Sequence, residues 1–143
     1  MKKILLWSVV AFVLMQLIPI DRTNKPVDKK QNFVDVMQPP KEIQEILKNA
    51  CYDCHSNEVK YPKYAYIAPF SWTISKHVNE GKKALNFSIW ETYSEKEKEQ
   101  HLKDIYRTIY AAMPLQPYLL IHTKANISSE DRKVIRDWTG VRR

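Results

Sequence analysis

Five consecutive residues of this 143-residue chain have the types and the spacing that could carry chemistry: Cys51-Tyr52-Asp53-Cys54-His55. They form C-x-x-C-H, the pattern that attaches a c-type haem. Two thiols about one helical turn apart can each add across a vinyl group on the same edge of a porphyrin, and the histidine that follows can bind the iron axially. The pattern predicts one covalently attached haem c, with Cys51 and Cys54 as tethers and His55 as the proximal iron ligand.

Three other interpretations of the cysteine pair remain open. A thioredoxin-like redox pair would need a βαβ context, and no strand pattern surrounds residue 51. A structural zinc site needs four ligands, and the four histidines of the chain include no pair at the usual spacing. A structural disulfide between Cys51 and Cys54 would close a very small loop and therefore stabilise little.

The sixth coordination position of the iron decides whether the haem carries electrons or binds ligands. Met113 is the first choice for the distal ligand, because it follows an apolar helical stripe and precedes Pro114. A methionine in the core is the alternative explanation. His77 is the rival, because it lies on an apolar helix face with Gly81 one turn later, which would leave room for a flat ring. His122 is a third candidate, either as distal ligand or as a contact to a haem propionate.

Other polar side chains are candidate hydrogen-bond donors to haem propionates, although core or surface roles are the more common use of such residues. His101 is expected in solvent, because it lies off the apolar stripe of its helix. The propionate candidates are Tyr61, Tyr64, Tyr66, Trp72, Trp90 and Arg107.

Residues 1–20 form a basic head, Lys2-Lys3, followed by an uncharged apolar run over residues 4–20. The run is close to the lower limit of about 17–25 residues for a membrane-spanning helix, and no small-residue cleavage site follows it. We therefore expect an uncleaved transmembrane anchor that leaves the two lysines in the cytoplasm and the domain on the outer face. Signal cleavage with secretion is the second interpretation, and a buried soluble helix is the third.

The net charge of +7 is spread along the chain, and no basic run exceeds two residues. A nucleic-acid-binding stripe is therefore not expected. A mixed-charge solvated surface is the simplest interpretation. The basic excess also suits an acidic docking surface on a redox partner protein or anionic lipid headgroups.

The remaining sequence predicts an all-α fold, namely a small cytochrome c-like domain of about four helices around one haem. Residues 21–38 are polar and predict a linker, with the apolar residues Phe33, Val34, Val36 and Met37 as an extended arm. The domain is expected over residues 39–143. Its helices are predicted at residues 40–50, 70–85, 94–113 and 128–139 from apolar spacing, from capping boxes at Ser94 and Ser128, and from the terminal Gly140.

These segments resemble the c-type cytochromes and, more narrowly, the membrane-anchored bacterial haem-binding domain family, over roughly residues 30–140 plus the anchor. The resemblance implies a monohaem protein on the outer side of the membrane. The order of cysteine motif, Met113-Pro114 and final helix is also that of small methionine-ligated cytochromes c, but the chain has only two glycines, unlike those proteins. The segments that carry the likeness are 51–58, 68–72, 77–81, 85–90, 113–118 and His122.

The predicted function is one-electron transfer by a membrane-tethered monohaem cytochrome c on the outer face of the cytoplasmic membrane, with no substrate bond made or broken. A five-coordinate haem that senses a gas or reacts with peroxide is the alternative, and a non-haem metal-binding structural module is the second alternative.

Overall fold

The computed structural model describes residues 1–140 and confirms the prediction of an all-helical protein. No β-strand occurs in that part of the chain. Three short 3-10 helices connect the longer elements, at Lys63–Tyr66, Phe87–Thr92 and Thr123–Ala125. The α-helices are α1 (Lys2–Met15), α2 (Phe33–Met37), α3 (Lys41–Ala50), α4 (Tyr52–His55), α5 (Phe70–Ala84), α6 (Glu95–Ala111), α7 (Gln116–Leu119) and α8 (Ser129–Thr139).

The four helices predicted for the domain correspond to α3, α5, α6 and α8. Both predicted capping boxes are present, because the hydroxyl of Ser94 accepts from the backbone of Glu97 and the Glu97 carboxylate accepts from the backbone of Ser94. Ser128 and Asp131 make the same reciprocal pair at the start of α8. Each box satisfies backbone donors that the first helical turn leaves free. Gly140 ends α8 at a φ of 66°, a conformation that glycine adopts without steric cost.

Residues 33–37 form the helix α2, and the expectation of an extended arm is therefore wrong. The ring of Phe33 is fully buried and meets three other aromatic rings edge-on. These are Phe87 at 5.1 Å, Trp90 at 4.8 Å and Trp138 at 5.7 Å between centroids. Such edge-to-face pairs are a favourable arrangement of aromatic quadrupoles, so α2 contributes the centre of the core.

The core lies between α2, α3, α6, α8 and the 3-10 helix Phe87–Thr92. The apolar stripes of α3, α6 and α8 supply five of its ten buried members. Its buried members are Phe33, Ile43, Leu47, Tyr52, Phe87, Trp90, Ile105, Ile109, Ile127 and Ile135. The short helix α4 packs against α5 at the edge of this core, and also against α3.

A buried polar network joins the segment after the cysteine motif to the segment after α5. The backbone N–H of Asn57 donates to the hydroxyl of Ser88 at 2.9 Å, and the amide of Asn86 donates to the Asn57 carbonyl at 3.1 Å. The backbone N–H of Ser88 in turn donates to the side chain of Asn86 at 3.0 Å. Because all three side chains are buried and paired, the network fixes where the chain leaves α5 relative to α4.

The N-terminal helix α1 spans 14 residues, Lys2–Met15, and buries none of them. Within residues 1–140, none of the helices combines the length and the apolar character needed to cross a membrane. The segment after α1 lies against the domain. The side chain of Gln16 pairs with both backbone groups of Ala68, and the carbonyl of Ile18 accepts from the indole of Trp72.

Candidate haem-binding site

The cysteine motif lies at the junction of two helices. The helix predicted at residues 40–50 ends at Ala50. At Cys51 the backbone φ is −124°, and a further turn of helix, which was not predicted, runs over Tyr52–His55. The carbonyl of Cys51 accepts from the backbone N–H groups of Cys54 and His55, at 3.1 and 2.9 Å. This turn holds the two cysteines in one compact loop, and both are half-buried free thiols.

The ring of His55 is oriented by the end of α5. Its Nδ1 lies 3.1 Å from the carbonyl oxygen of Leu85, and since a carbonyl only accepts, Nδ1 carries the proton and donates. The other nitrogen, Nε2, is then the one with a lone pair for a metal. A second-sphere acceptor of this kind fixes the tautomer and the ring plane of a metal-binding histidine.

Burial lowers the pKa of His55, and the neighbouring carbonyls of Leu85 and Gly81 oppose that shift only in part. The neutral imidazole is therefore favoured in the folded protein. The neutral form is the one that can bind a metal, so this environment is compatible with His55 as a metal ligand.

Gly81 allows α5 to approach the cysteine motif. A Cβ at this position would lie 2.5 Å from the carbonyl oxygen of Cys54 and 3.2 Å from its Cβ. The sequence suggested that Gly81 leaves room for a flat ring beside His77, but the space is filled by the backbone of Cys54. The glycine therefore sets the distance between α4 and α5.

The environment of the two thiols keeps them protonated in the protein without haem. Burial, followed by the neighbouring Cys54, raises the pKa of Cys51 to about 12. Burial, followed by the carboxylate of Asp53, raises the pKa of Cys54 to about 11. Catalytic and redox-active cysteines have lowered pKa values, so these two resemble side chains that pack against an apolar group.

A chain of polar contacts joins the motif to the segment that contains His122. The phenol of Tyr118 donates to the Asp53 carboxylate at 2.8 Å, and its ring stacks on His122 at 4.2 Å with an interplanar angle of 7°. His122 Nε2 and the hydroxyl of Tyr64 share a hydrogen bond of 2.7 Å. Sequence reasoning named Tyr64 and His122 but missed Asp53 and Tyr118, since no local pattern links residues 65 positions apart.

The three candidates for the sixth ligand lie in different elements. Met113 lies beyond the end of α6 and is 36% exposed, and its backbone N–H donates to Thr108 at 2.8 Å. His77 is half-buried on α5, one turn before Gly81. His122 is half-buried and held by Tyr64. Each of the three stays a prediction as an iron ligand.

The other aromatic and histidine candidates have structural partners. Trp90 is completely buried in the core, which makes it a packing residue. Tyr66 is exposed, with the guanidinium of Arg22 at 4.2 Å from its ring centroid. His101 is half-buried against Tyr93, at 4.6 Å between centroids, and the expectation of a solvated side chain is therefore wrong. The ring of Tyr93 therefore packs against His101 on a side of α6 that lies off the apolar stripe.

The donor set fits a haem better than a multidentate metal site. It offers two thiols in one turn and one neutral imidazole with a fixed tautomer, which matches the needs of c-type attachment. Over residues 1–140, no group of three or more histidine, cysteine, aspartate or glutamate side chains is arranged to hold a metal ion.

Arg107, another candidate for a propionate contact, is largely exposed and pairs with Asp104 at 3.9 Å on α6.

The helical fold and this donor set define a small haem-binding protein. Residues 10–140, most of the chain, match the haem-binding domain family, and the chain belongs to that family. No curated protein and no solved structure matches the chain significantly.

Proposed function

We propose that this haem-binding protein is a monohaem cytochrome c that transfers single electrons from a membrane-tethered position. The observation that carries the proposal is the hydrogen bond from His55 Nδ1 to the Leu85 carbonyl, directly beside two free thiols in one helical turn. A histidine that binds no metal has no requirement for a fixed direction of Nε2, whereas an axial ligand must point this nitrogen at the iron.

The residues of the chain would act by holding and surrounding the cofactor. Cys51 and Cys54 would form thioether bonds to its vinyl groups, and His55 Nε2 would bind the iron. When bound, the haem supplies a one-electron Fe(III)/Fe(II) couple. The buried network of Asn57, Asn86 and Ser88 would keep the Leu85 carbonyl in place and so preserve the orientation of the imidazole.

The attachment is tested by producing the full chain together with the c-type maturation machinery. We expect a pyridine haemochrome spectrum of haem c and a haem that stays with the polypeptide under denaturing conditions. The variant Cys51→Ala/Cys54→Ala should lose covalent haem. A colourless protein with both thiols open to alkylation, or a double variant that still holds haem covalently, would contradict the proposal.

We propose Met113 as the sixth ligand, because a thioether favours the high potentials typical of electron carriers. The test compares optical spectra of Met113→Ala, His77→Ala and His122→Ala in the ferric state. Only the first substitution should abolish the weak red methionine-to-iron band and give a high-spin spectrum. An unsubstituted protein that is low-spin but lacks this band, and that becomes high-spin in His77→Ala or His122→Ala, would assign the position to that histidine and lower the expected potential.

We also propose that residues 4–20 hold the protein in the cytoplasmic membrane, with the haem domain on the periplasmic or outer side. The support is the apolar run itself, none of whose side chains is buried in α1, and the basic Lys2-Lys3 head. Tethering would raise the effective concentration of the carrier near redox partner proteins of the same membrane. Carbonate-resistant membrane association tests the tether, and release as a shortened soluble protein would instead indicate signal cleavage.

A second function is favoured by the pair of Tyr64 and His122, whose 2.7 Å hydrogen bond places polar groups close to the motif. In a five-coordinate haem, such groups can stabilise a bound gas or peroxide. A ferric spectrum that is high-spin in the unsubstituted protein, with rapid binding of cyanide, would favour this second function over electron transfer.

A further inference from the structure

A group of exposed apolar side chains surrounds the place where the N-terminal segment meets the domain. Tyr66, Ile67 and Phe70 are 60%, 46% and 63% exposed, and we call them the docking patch. They flank Ala68, which pairs with Gln16 through both of its backbone groups, at 3.0 and 3.2 Å. Three large apolar side chains are thus exposed within five positions of the sequence, and exposed apolar residues grouped in this way often mark an interaction site.

The connection between α1 and the docking patch is made by more than one contact. The indole of Trp72 donates to the carbonyl of Ile18 at 3.0 Å, and the guanidinium of Arg22 lies over the ring of Tyr66 at 4.2 Å. The end of the apolar segment is therefore held next to the patch by residues 16–22. Wherever the apolar segment enters a bilayer, the patch must lie within a short distance of the same surface.

The charge of the surrounding segment suits anionic lipid headgroups. Between Glu58 and Glu80 the sequence has three lysines and no acidic residue. Basic residues are attracted to an anionic membrane surface, and aromatic rings such as those of Tyr66 and Trp72 are enriched at the membrane interface.

We propose that the docking patch rests on the phospholipid bilayer that holds residues 4–20 and so fixes the orientation of the haem domain on the membrane. The proposal rests on the membrane tether of the proposed function and adds a second contact to it. A domain held at two places cannot rotate freely about a linker, so one face of the haem site would point consistently toward partners in the membrane plane.

The test uses the full-length holoprotein in nanodiscs of phosphatidylcholine and phosphatidylglycerol that contain a photoactivatable phosphatidylcholine. After illumination and trypsin digestion, cross-linked lipid is quantified on three peptides, residues 4–22, 64–76 and 108–124. The last is an internal control, because it carries the comparably exposed apolar residues Tyr110, Leu120 and Ile121. We expect several-fold more lipid on peptide 64–76 than on peptide 108–124, together with strong labelling of peptide 4–22.

Two variants sharpen the test. Gln16→Ala removes both contacts to Ala68 and should lower labelling of peptide 64–76 several-fold without changing that of peptide 4–22. Leu120→Ser/Ile121→Ser is the matched control and should leave labelling of peptide 64–76 unchanged. The haem spectrum reports whether each variant is folded.

Equal labelling of peptides 64–76 and 108–124, with strong labelling of peptide 4–22, would overturn the docking patch and leave the tether intact. It would assign the exposed side chains to another occupant, such as a redox partner. Absence of lipid from peptide 4–22 would overturn the tether and the docking patch together.

Discussion

Replacing Gly81 with alanine is the substitution whose effect on the haem site follows most directly from the geometry. The added Cβ would lie 2.5 Å from the carbonyl oxygen of Cys54 and 3.1 Å from the carbonyl carbon, whereas ordinary contact begins at 3.4 Å. The obstructing atoms belong to the backbone of α4 and cannot rotate away. Relief therefore requires α4 and α5 to separate by roughly 1 Å.

Two opposing terms set the magnitude of the effect on stability. Alanine is favoured over glycine inside a helix by about 1 kcal/mol, and Gly81 lies within α5. Overpacking a well-filled contact costs about 1–3 kcal/mol and more when backbone must move. Since the close contact here is with backbone, we expect the cost to exceed the gain and the free energy of unfolding to fall by about 1–2 kcal/mol.

The separation of α4 and α5 would also reach the histidine, because His55 lies on α4 and its acceptor, the Leu85 carbonyl, directly follows α5. We expect Gly81→Ala to lower the urea midpoint of the holoprotein and to alter its optical spectrum. Asn79→Ala is the matched control, since Asn79 is an exposed position of the same helix where alanine should be neutral or slightly stabilising. A Gly81→Ala protein as stable as the unsubstituted one, with an unchanged spectrum, would refute the packing argument.

Four further predictions concern the core, the tyrosine contact and the two thiols. Phe33→Ala should lower the free energy of unfolding in urea by about 3–5 kcal/mol, because the ring is fully buried, and a cost below that of a surface substitution would contradict its place in the core. Tyr118→Phe removes only the hydroxyl that donates to Asp53 and should cost about 1–2 kcal/mol in the same assay, whereas no loss would show that the contact is unimportant. In the haem-free protein at pH 8, alkylation of Cys51 and Cys54 should be about two orders of magnitude slower than in urea, because burial raises their pKa values to about 12 and 11 and leaves few thiolates. Native alkylation as fast as in urea would contradict the burial of the thiols. The unfolded thiols ionise near pH 8.5 while the folded ones stay protonated, so the free energy of unfolding of the haem-free protein should also fall as the pH rises above that value.

The sequence predicted the helices of the domain well, because their signals are local. Apolar spacing and the capping residues Ser94 and Ser128 act within one or two turns, and the helices begin where these residues stand. The helix α2 was not predicted, because five residues are too few for a periodic signal and its stability comes from the burial of Phe33. The short helix α4 was not predicted for a similar reason, since it is a single turn of four residues.

The cysteine motif could be recognised in the sequence because C-x-x-C-H has a fixed spacing within five residues. Haem binding as a family property agrees with it. The residues that form hydrogen bonds with the motif could not be identified from the sequence. Leu85 accepts from His55 across 30 positions, and Tyr118 reaches Asp53 across 65. Contacts between residues so far apart in sequence depend on how whole helices pack, and no residue type by itself predicts them.

The amino-acid sequence by itself therefore determined the available functional groups, namely two thiols and an imidazole within five residues, and the four longer helices of the domain. Only the tertiary structure decided which nitrogen of His55 is left for a metal and how closely α5 approaches through Gly81. It also decided that the end of the apolar segment lies against Ala68 and Trp72. The physical reason is that helix-capping hydrogen bonds and helix propensities act over a few residues. The orientation and burial of a side chain arise only when segments distant in sequence pack together.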